Sequence, residues 1–205
     1  DLTLELFING TKEFFKHKQA VAFTLVSGFI TGSFMVYLST SQQIFEKQYN
    51  LGEWFPYLFA STALAVGSST FMNSRLVLRF GSFKIANVAA IAYALISLLY
   101  IVIFFKGNNP PIAVLLGFFL CQFFAVGLLF GNLRALAMEP LGHIAGIGAA
   151  INGFISTVMA VPIANYIGSF VETSVLPLFI GFSFFGMLSV ITFIIVKRKL
   201  SLAKT

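Results

Sequence analysis

The sequence has a single cysteine and very few charged residues. Cys121 is the only cysteine among 205 residues and lies inside an apolar run, so a disulfide framework and a thiolate metal site are both excluded. Only 10% of the residues are charged, whereas soluble domains carry about 25%. The chain is therefore not an ordinary soluble domain, and its net charge of +6 does not indicate nucleic acid as a partner.

Long apolar runs take the place of the missing charges. Hydrophobic residues make up 58% of the chain, including 26 phenylalanines, and short polar breaks separate the runs. Runs of about 20 apolar residues are typical of membrane-spanning helices, whereas the strands of membrane barrels are about ten residues long and alternate in polarity. The sequence therefore predicts an all-α membrane protein embedded in the lipid bilayer.

Six membrane-spanning helices are predicted, and they divide the chain into three parts. Residues 1–19 form an interfacial lead-in with a short amphipathic helix. Residues 20–197 form the transmembrane bundle, and residues 198–205 form a cytoplasmic tail. The predicted spans cover residues 20–39, 55–72, 85–105, 112–137, 144–167 and 175–196.

Polar stretches and one proline mark the predicted interruptions. Residues 40–54 are predicted to be a water-exposed loop, and the basic stretch 73–84 a second loop. The sequence KGNNPP at 106–111 combines Gly, Asn and Pro and predicts a sharp turn. Pro162 lies within the fifth span and is expected to kink it.

The positive charges fall almost entirely on one side of the predicted membrane. Of the 13 Lys and Arg residues, only Lys47 and Lys106 lie in connections on the other side. Because cytoplasmic segments are richer in Lys and Arg, both ends of this segment are predicted to be cytoplasmic. The chain begins with Asp1 and no signal peptide precedes its first span. We expect a piece of a longer protein, or a half-size protein that dimerises.

The six spans divide into two triplets in which the helices follow a similar order of residue compositions. In each triplet a glycine-punctuated helix is followed by a helix rich in small residues and then by a bulky apolar helix. Since each triplet has an odd number of spans, the second is expected to be inverted relative to the first, as in many secondary transporters. No charged residue lies near the middle of a span, which disfavours anionic substrates and places any proton-coupling acid elsewhere.

The stretch 139–154, EPLGHIAGIGAAINGF, joins the fourth and fifth spans. It resembles the signature that follows the tenth helix of drug:proton antiporters in the bicyclomycin and chloramphenicol resistance branch of the major facilitator superfamily (MFS). Asn132 and the stretch 72–81, MNSRLVLRFG, also resemble that family. Arg134 departs from the pattern where a small residue is expected, and Asn73 departs where the loop motif often has Asp.

The resemblance implies a fold and a function for the whole chain. The segment would be the last six helices of a twelve-helix transporter, working with an N-terminal six-helix half. That transporter would lie in the bacterial inner membrane and export small drug-like molecules in exchange for protons, by alternating access. Its partners would be the drug substrate, the proton and the bilayer, and no cofactor, metal or covalent chemistry is expected.

Gating and structural roles are expected near the cytoplasmic side. Arg75 and Arg79 would grip helix ends or an acidic partner in one transport state, or they are ordinary topology charges. Glu139 would pair with Arg134 or with the basic loop, and such an exposed pair contributes about 0 to 1 kcal/mol. The predicted set is Asn73, Arg75, Arg79, Gly81, Asn132, Arg134, Glu139, Gly146 and Gly153, the last two for close helix approach and flexibility.

Four residues within the spans are candidates for substrate binding. Phe34 and Tyr37 lie three residues apart on one face of the first span and would stack on an aromatic drug, or they pack in the core. Gln122 and Asn152 carry neutral amides that are costly in a membrane without a partner. Each amide is therefore either a bond between helices or part of a substrate pocket.

Two alternatives to drug efflux stay open. The chain is compatible with an MFS transporter of another neutral metabolite, or with a membrane enzyme or assembly factor that does no transport. An enzyme would need polar groups at one membrane face, and Arg134, Glu139 and His143 are the only candidates for such a set. His143 is better explained as a solvated or helix-capping side chain, and the chain carries no nucleotide-binding glycine loop. We therefore expect a protein that is not an enzyme.

Overall fold

A computed structural model describes residues 4–202 of the chain, with side chains from residue 8 to residue 199. Within this range the protein is helical and contains no strand. A short helix, α1 (Leu4–Lys16), precedes six long ones. These are α2 (Lys18–Gln43), α3 (Phe55–Phe80), α4 (Ser82–Ile103), α5 (Ile112–Met138), α6 (Ala145–Gly168) and α7 (Leu176–Leu202).

Four segments of the described chain are long and apolar enough to cross a membrane. They are Lys18–Gln48, Ser82–Ile103, Ile112–Gly168 and Leu176–Lys199, and the third contains both α5 and α6. The helix α3 is not among them, because Ser and Thr make up much of its middle part. The prediction of an all-helical, multi-pass membrane protein is confirmed.

The predicted basic loop at 73–84 is wrong. The helix α3 continues through this stretch to Phe80 and stops at Gly81, whose φ of 76° lies in the left-handed region. The α4 helix begins at the next residue. Arg and Leu are good helix formers, so the stretch RLVLR extends the helix until a glycine that tolerates positive φ ends it.

The predicted water-exposed loop at 40–54 is also wrong in its first half. The α2 helix runs to Gln43 and continues as a π-helical turn over Ile44–Gln48, and a short 3₁₀ turn covers Gly52–Trp54. Ile44 and Phe45 are fully buried. The chain therefore turns back only after this apolar pair has packed into the core.

The bundle is organised around α2 and α5. The α2 helix packs against α5, α6 and α7, while α5 packs against α2, α3 and α4, and α4 also packs against α7. Aromatic rings fill the space between them: Tyr100 of α4 stacks on Phe179 of α7 with ring centroids 3.7 Å apart, and Phe119 of α5 lies 5.6 Å from Phe179. These contacts bury part of the many phenylalanine side chains, while others, such as Phe71 and Phe154, are exposed.

The lead-in is helical, as the sequence predicted. The α1 helix packs on α6 and α2, and Phe14 is fully buried there. On its outer side Glu13 forms ion pairs with Lys16 at 3.3 Å and with His17 at 3.2 Å. The hydrogen bonds from Lys16 and His17 lower the pKa of the Glu13 carboxyl.

Pro162, at which a kink was predicted, does not interrupt α6. This helix is continuous over Ala145–Gly168.

Candidate functional site

The aromatic pair predicted to stack on a drug lies inside the bundle. Tyr37 is only 1% exposed, and its hydroxyl forms a hydrogen bond of 2.9 Å with Oγ1 of Thr62 on α3. Phe34 is half-buried and packs edge-on against Phe123, with ring centroids 5.3 Å apart. In this conformation the pair holds α2 against α3 and α5, and the Tyr37 ring offers no surface to a substrate.

The amide of Gln122 joins two helices. The side chain is fully buried on α5, and its Nε2 donates a hydrogen bond of 3.2 Å to the carbonyl oxygen of Tyr93 on α4. A buried amide that pairs across helices stabilises the bundle and is not presented to a ligand. Of the two roles predicted for Gln122, the geometry favours the structural one.

The amide of Asn152 has both a structural contact and a place at an open cleft. Its Nδ2 donates a hydrogen bond of 2.7 Å to Oγ1 of Thr24, which joins α6 to α2. Asn152 lies seven residues into α6, about 10 Å along the helix from Ala145. It also lines a polar cleft between α2, α5 and α6, so the side chain is fixed where a solute can approach it.

This polar cleft is the candidate functional site. Its volume is about 440 Å³, within the range of about 300 to 1,000 Å³ that small-molecule sites occupy. Hydroxyl, amide and guanidinium groups face it in a part of the chain that is otherwise strongly apolar. The lining residues are Ser27, Thr31, Phe130, Gly131, Arg134, Asn152, Gly153, Ser156 and Thr157.

One lining side chain is buried and lacks a polar partner. Ser156 is 7% exposed, and within the described part of the chain its Oγ has no hydrogen-bond partner. An unpaired buried hydroxyl costs free energy unless water or a solute satisfies it. Ser156 is therefore a residue of the lining whose hydroxyl the fold leaves unpaired.

Arg134 is the cation of the cleft. Its side chain is exposed. Among the described side chains, ion pairs are formed by Glu13 with Lys16 and His17, and Arg134 takes part in neither. The predicted pair between Arg134 and Glu139 is therefore not formed. Glu139 instead accepts a hydrogen bond of 2.7 Å from Nε2 of Gln19. Arg134 lies in the lining itself, so the cleft presents a cation as well as neutral polar groups.

Two of the residues singled out by the family resemblance meet across α3 and α5. The Nδ2 of Asn132 donates hydrogen bonds of 2.7 Å to Oδ1 of Asn73 and of 2.7 Å to the carbonyl oxygen of Leu128. Asn132 is 1% exposed. The hydrogen bond between Asn73 and Asn132 therefore joins α3 to α5.

The arginines of the basic stretch lie over neighbouring aromatic rings. The guanidinium carbon of Arg75 is 5.8 Å from the centre of the Phe71 ring, and that of Arg79 is 5.2 Å from the centre of the Phe80 ring. Both arginine side chains are exposed. In this conformation they are held against their own helix, and a gating role for them stays a prediction.

The close helix approach expected at Gly146 and Gly153 occurs elsewhere. A Cβ atom added at either glycine would meet nothing within 4 Å. A Cβ atom at Gly127 of α5 would lie 2.5 Å from the carbonyl oxygen of Val66 on α3. Gly127 was not predicted to be a contact point. The usable signal in the sequence was the run of small residues in α3, which indicates that another helix packs closely against it. Gly153 instead borders the cleft, and Gly81 ends α3.

Comparison with known proteins gives one distant relative. The chain is 24% identical over 167 residues to a Bacillus subtilis (strain 168) protein described as the uncharacterized MFS-type transporter YdgK. The match covers 80% of this chain, and the chain spans 40% of the length of that relative. No protein-family description and no solved structure matches the chain significantly. The apolar helices indicate a multi-pass membrane protein, and the protein to which the chain is similar is described as a transporter.

Proposed function

We propose that the chain is one half of an MFS transporter and moves a small solute across the membrane by alternating access. The observation that carries this proposal is the polar cleft between α2, α5 and α6, which is lined by polar side chains from all three helices. A cleft of this kind contributes to a substrate path only when a second half covers it. The proposal therefore includes an N-terminal six-helix half as partner.

The pattern of helix neighbours supports two related triplets. The contacts of α2 with α6 and α7 correspond to the contacts of α5 with α3 and α4. Exchanging α2 with α5, α3 with α6 and α4 with α7 therefore reproduces the six most extensive helix pairs of the bundle. An inverted repeat of two three-helix units has this property, and in such repeats the substrate binds where the units and halves meet.

The finer part of the proposal is proton-coupled efflux of drug-like molecules from a bacterial cell. It is supported by the resemblance of residues 139–154, of the stretch 72–81 and of Asn132 to drug:proton antiporters. The orientation with both ends in the cytoplasm is supported by the distribution of Lys and Arg. The coupling acid would belong to the N-terminal half, because in the part of the chain described here no carboxylate lines the cleft.

Two neighbouring residues on α6 provide a matched test of the cleft. Thr157 lines it, whereas the adjacent Val158 is 54% exposed and lies outside the lining. Thr157→Tyr should lower efflux of chloramphenicol and ethidium from cells that express the full protein by about tenfold. Val158→Tyr, at equal protein level, should leave efflux within about twofold of the parent. Equal effects of the two substitutions would contradict a substrate path through the cleft.

Arg134 favours a second candidate function, the transport of a metabolite that carries an acidic group. A guanidinium binds carboxylate and phosphate through paired hydrogen bonds, and no carboxylate of the described chain occupies Arg134. The transport of a neutral metabolite, the alternative from the sequence, stays a prediction beside it. If it is right, Arg134→Gln abolishes uptake or export of an anionic probe such as citrate, and Arg134→Lys retains part of it. If drug efflux is right, Arg134→Gln leaves ethidium efflux largely intact.

A further inference from the structure

Two apolar grooves run along the outside of the bundle, and they differ in charge. The first has a volume of about 760 Å³ and lies between α3, α4 and α5. The second has a volume of about 640 Å³ and lies between α6 and α7. Lys84 lines one end of the first groove, whereas the described lining of the second contains no cation. The two grooves therefore provide an internal comparison within one protein.

The first groove opens at a pair of cations. The Nζ of Lys84 lies 5.2 Å from the centre of the Phe80 ring, and the guanidinium carbon of Arg79 lies 5.2 Å from the centre of the same ring. Phe80 and Lys84 both belong to the groove lining. Both cations are exposed, and neither forms an ion pair with any described carboxylate. Two positive charges therefore lie within 5.2 Å of the centre of the Phe80 ring at the mouth of the groove.

The length of the groove matches one leaflet of a bilayer. Its α4 side extends from Lys84 to Ile96, which is about 18 Å at 1.5 Å per residue. The hydrocarbon core of a membrane is about 30 Å thick, so one leaflet is about 15 Å. The remaining lining is provided by apolar side chains such as Val88, Leu120 and Phe124. One acyl chain of a phospholipid therefore fits the groove along its length.

We propose that this groove binds an anionic phospholipid, with its phosphate at Arg79 and Lys84 and one acyl chain along α4. The groove between α6 and α7 binds lipid without selecting the headgroup. Arg79 and Lys84 thereby act in lipid recognition, whatever the transported substrate is. Basic pockets between membrane helices select anionic headgroups, and each Lys or Arg near the membrane surface strengthens the attraction about fivefold.

Lipid binding can be measured on the purified protein in detergent by native mass spectrometry. The parent protein should bind dioleoyl phosphatidylglycerol at least about fivefold more tightly than dioleoyl phosphatidylcholine. The double variant Arg79→Gln and Lys84→Gln should remove this preference. Lys106→Gln is the matched control, because the Nζ of Lys106 also lies over a neighbouring ring, 5.9 Å from the centre of Phe105, but is not part of the groove. A preference that survives in the double variant, or is lost in the control, would overturn the proposal.

The single cysteine gives an independent measurement of the acyl chain. Cys121 is exposed and lines the same groove. Phosphatidylglycerol should slow its modification by N-ethylmaleimide more than phosphatidylcholine does at equal concentration. In the double variant the two lipids should protect Cys121 equally. If phosphatidylglycerol binds selectively but leaves the modification rate unchanged, the headgroup is attracted to the surface only and the proposed groove is wrong.

Discussion

Asn132 on α5 and Asn73 on α3 form a direct side-chain hydrogen bond, with Nδ2 of Asn132 2.7 Å from Oδ1 of Asn73. The same Nδ2 donates to the carbonyl oxygen of Leu128 on its own helix. Asn132 is therefore fixed by α5 and in turn positions the end of α3. Because Asn132 is only 1% exposed, water is not an easy alternative partner for its amide.

This pair predicts a coupled effect on stability. Asn132→Ala should lower the free energy of unfolding by about 1 kcal/mol, since hydrogen bonds between membrane helices contribute about 0.6 kcal/mol on average and up to about 1.7 kcal/mol. Asn73→Ala should add little once Asn132 is gone. Equilibrium unfolding in mixed micelles of the two single variants and the double variant measures the coupling. Strictly additive losses would show that the two amides do not interact.

The contact of α5 with α3 at Gly127 predicts a sharp difference between two glycines of one helix. A Cβ atom at Gly127 would lie 2.5 Å from the carbonyl oxygen of Val66 and would also meet Ser69, whereas a Cβ atom at Gly117 would meet nothing. Gly127→Ala should therefore destabilise the bundle by about 1 to 3 kcal/mol. Gly117→Ala should be neutral or stabilising by up to about 1 kcal/mol, because Ala is the better helix former.

The melting temperatures of the two glycine variants in detergent provide the measurement. Each is compared with the parent protein at the same detergent concentration. A drop for Gly127→Ala with none for Gly117→Ala is the expected result. Similar melting temperatures for both would mean that α3 and α5 are not in close contact at Gly127.

The number of long helices, and the limits of most of them, were predictable from the lengths of the apolar runs. The span predicted at 112–137 became α5, Ile112–Met138, and the predicted turn at 106–111 separates α4 from α5. Polar composition was less informative: the basic stretch after Asn73 is helical because Arg and Leu both favour helix. Charge indicates that a residue lies near water, but it does not by itself indicate a loop.

The candidate site was only partly predictable. Asn152 was expected at a pocket because an amide within a span needs a partner, and it does line the cleft. Tyr37 was expected to stack on a drug, but its ring is only 1% exposed and its hydroxyl forms a hydrogen bond with Thr62. A sequence shows that a polar group needs a partner, whereas which partner it finds depends on how α2 and α3 pack. The exposure of Arg134 to the cleft depends in the same way on the packing of α5 against α6.

The orientation of the chain in the membrane can be tested with single cysteines. In a Cys121→Ser background, Lys47→Cys should react with a membrane-impermeant maleimide added to sealed right-side-out vesicles, because Lys47 is exposed on the side predicted to be extracytoplasmic. His143→Cys, exposed at the other end of the bundle, should react only after the vesicles are opened. Reaction of both residues, or of His143→Cys alone, in sealed vesicles would contradict the predicted topology.

Gly153 gives the sharpest test of the cleft itself. A Cβ atom at Gly153 meets nothing within 4 Å, and the residue lies in the cleft lining beside Asn152. Gly153→Leu should therefore leave the melting temperature close to that of the parent while its side chain fills the cleft. Transport of the probe substrate should fall by about tenfold or more.

Gly117→Leu is the control for this substitution, because Gly117 also has open space around it but lies outside the cleft. Initial transport rates in cells, measured at equal membrane levels of each variant, decide the outcome. Loss of transport with a retained melting temperature supports a blocked path, since a packing defect would lower both. Normal transport by Gly153→Leu would show that substrate does not pass the polar cleft between α2, α5 and α6.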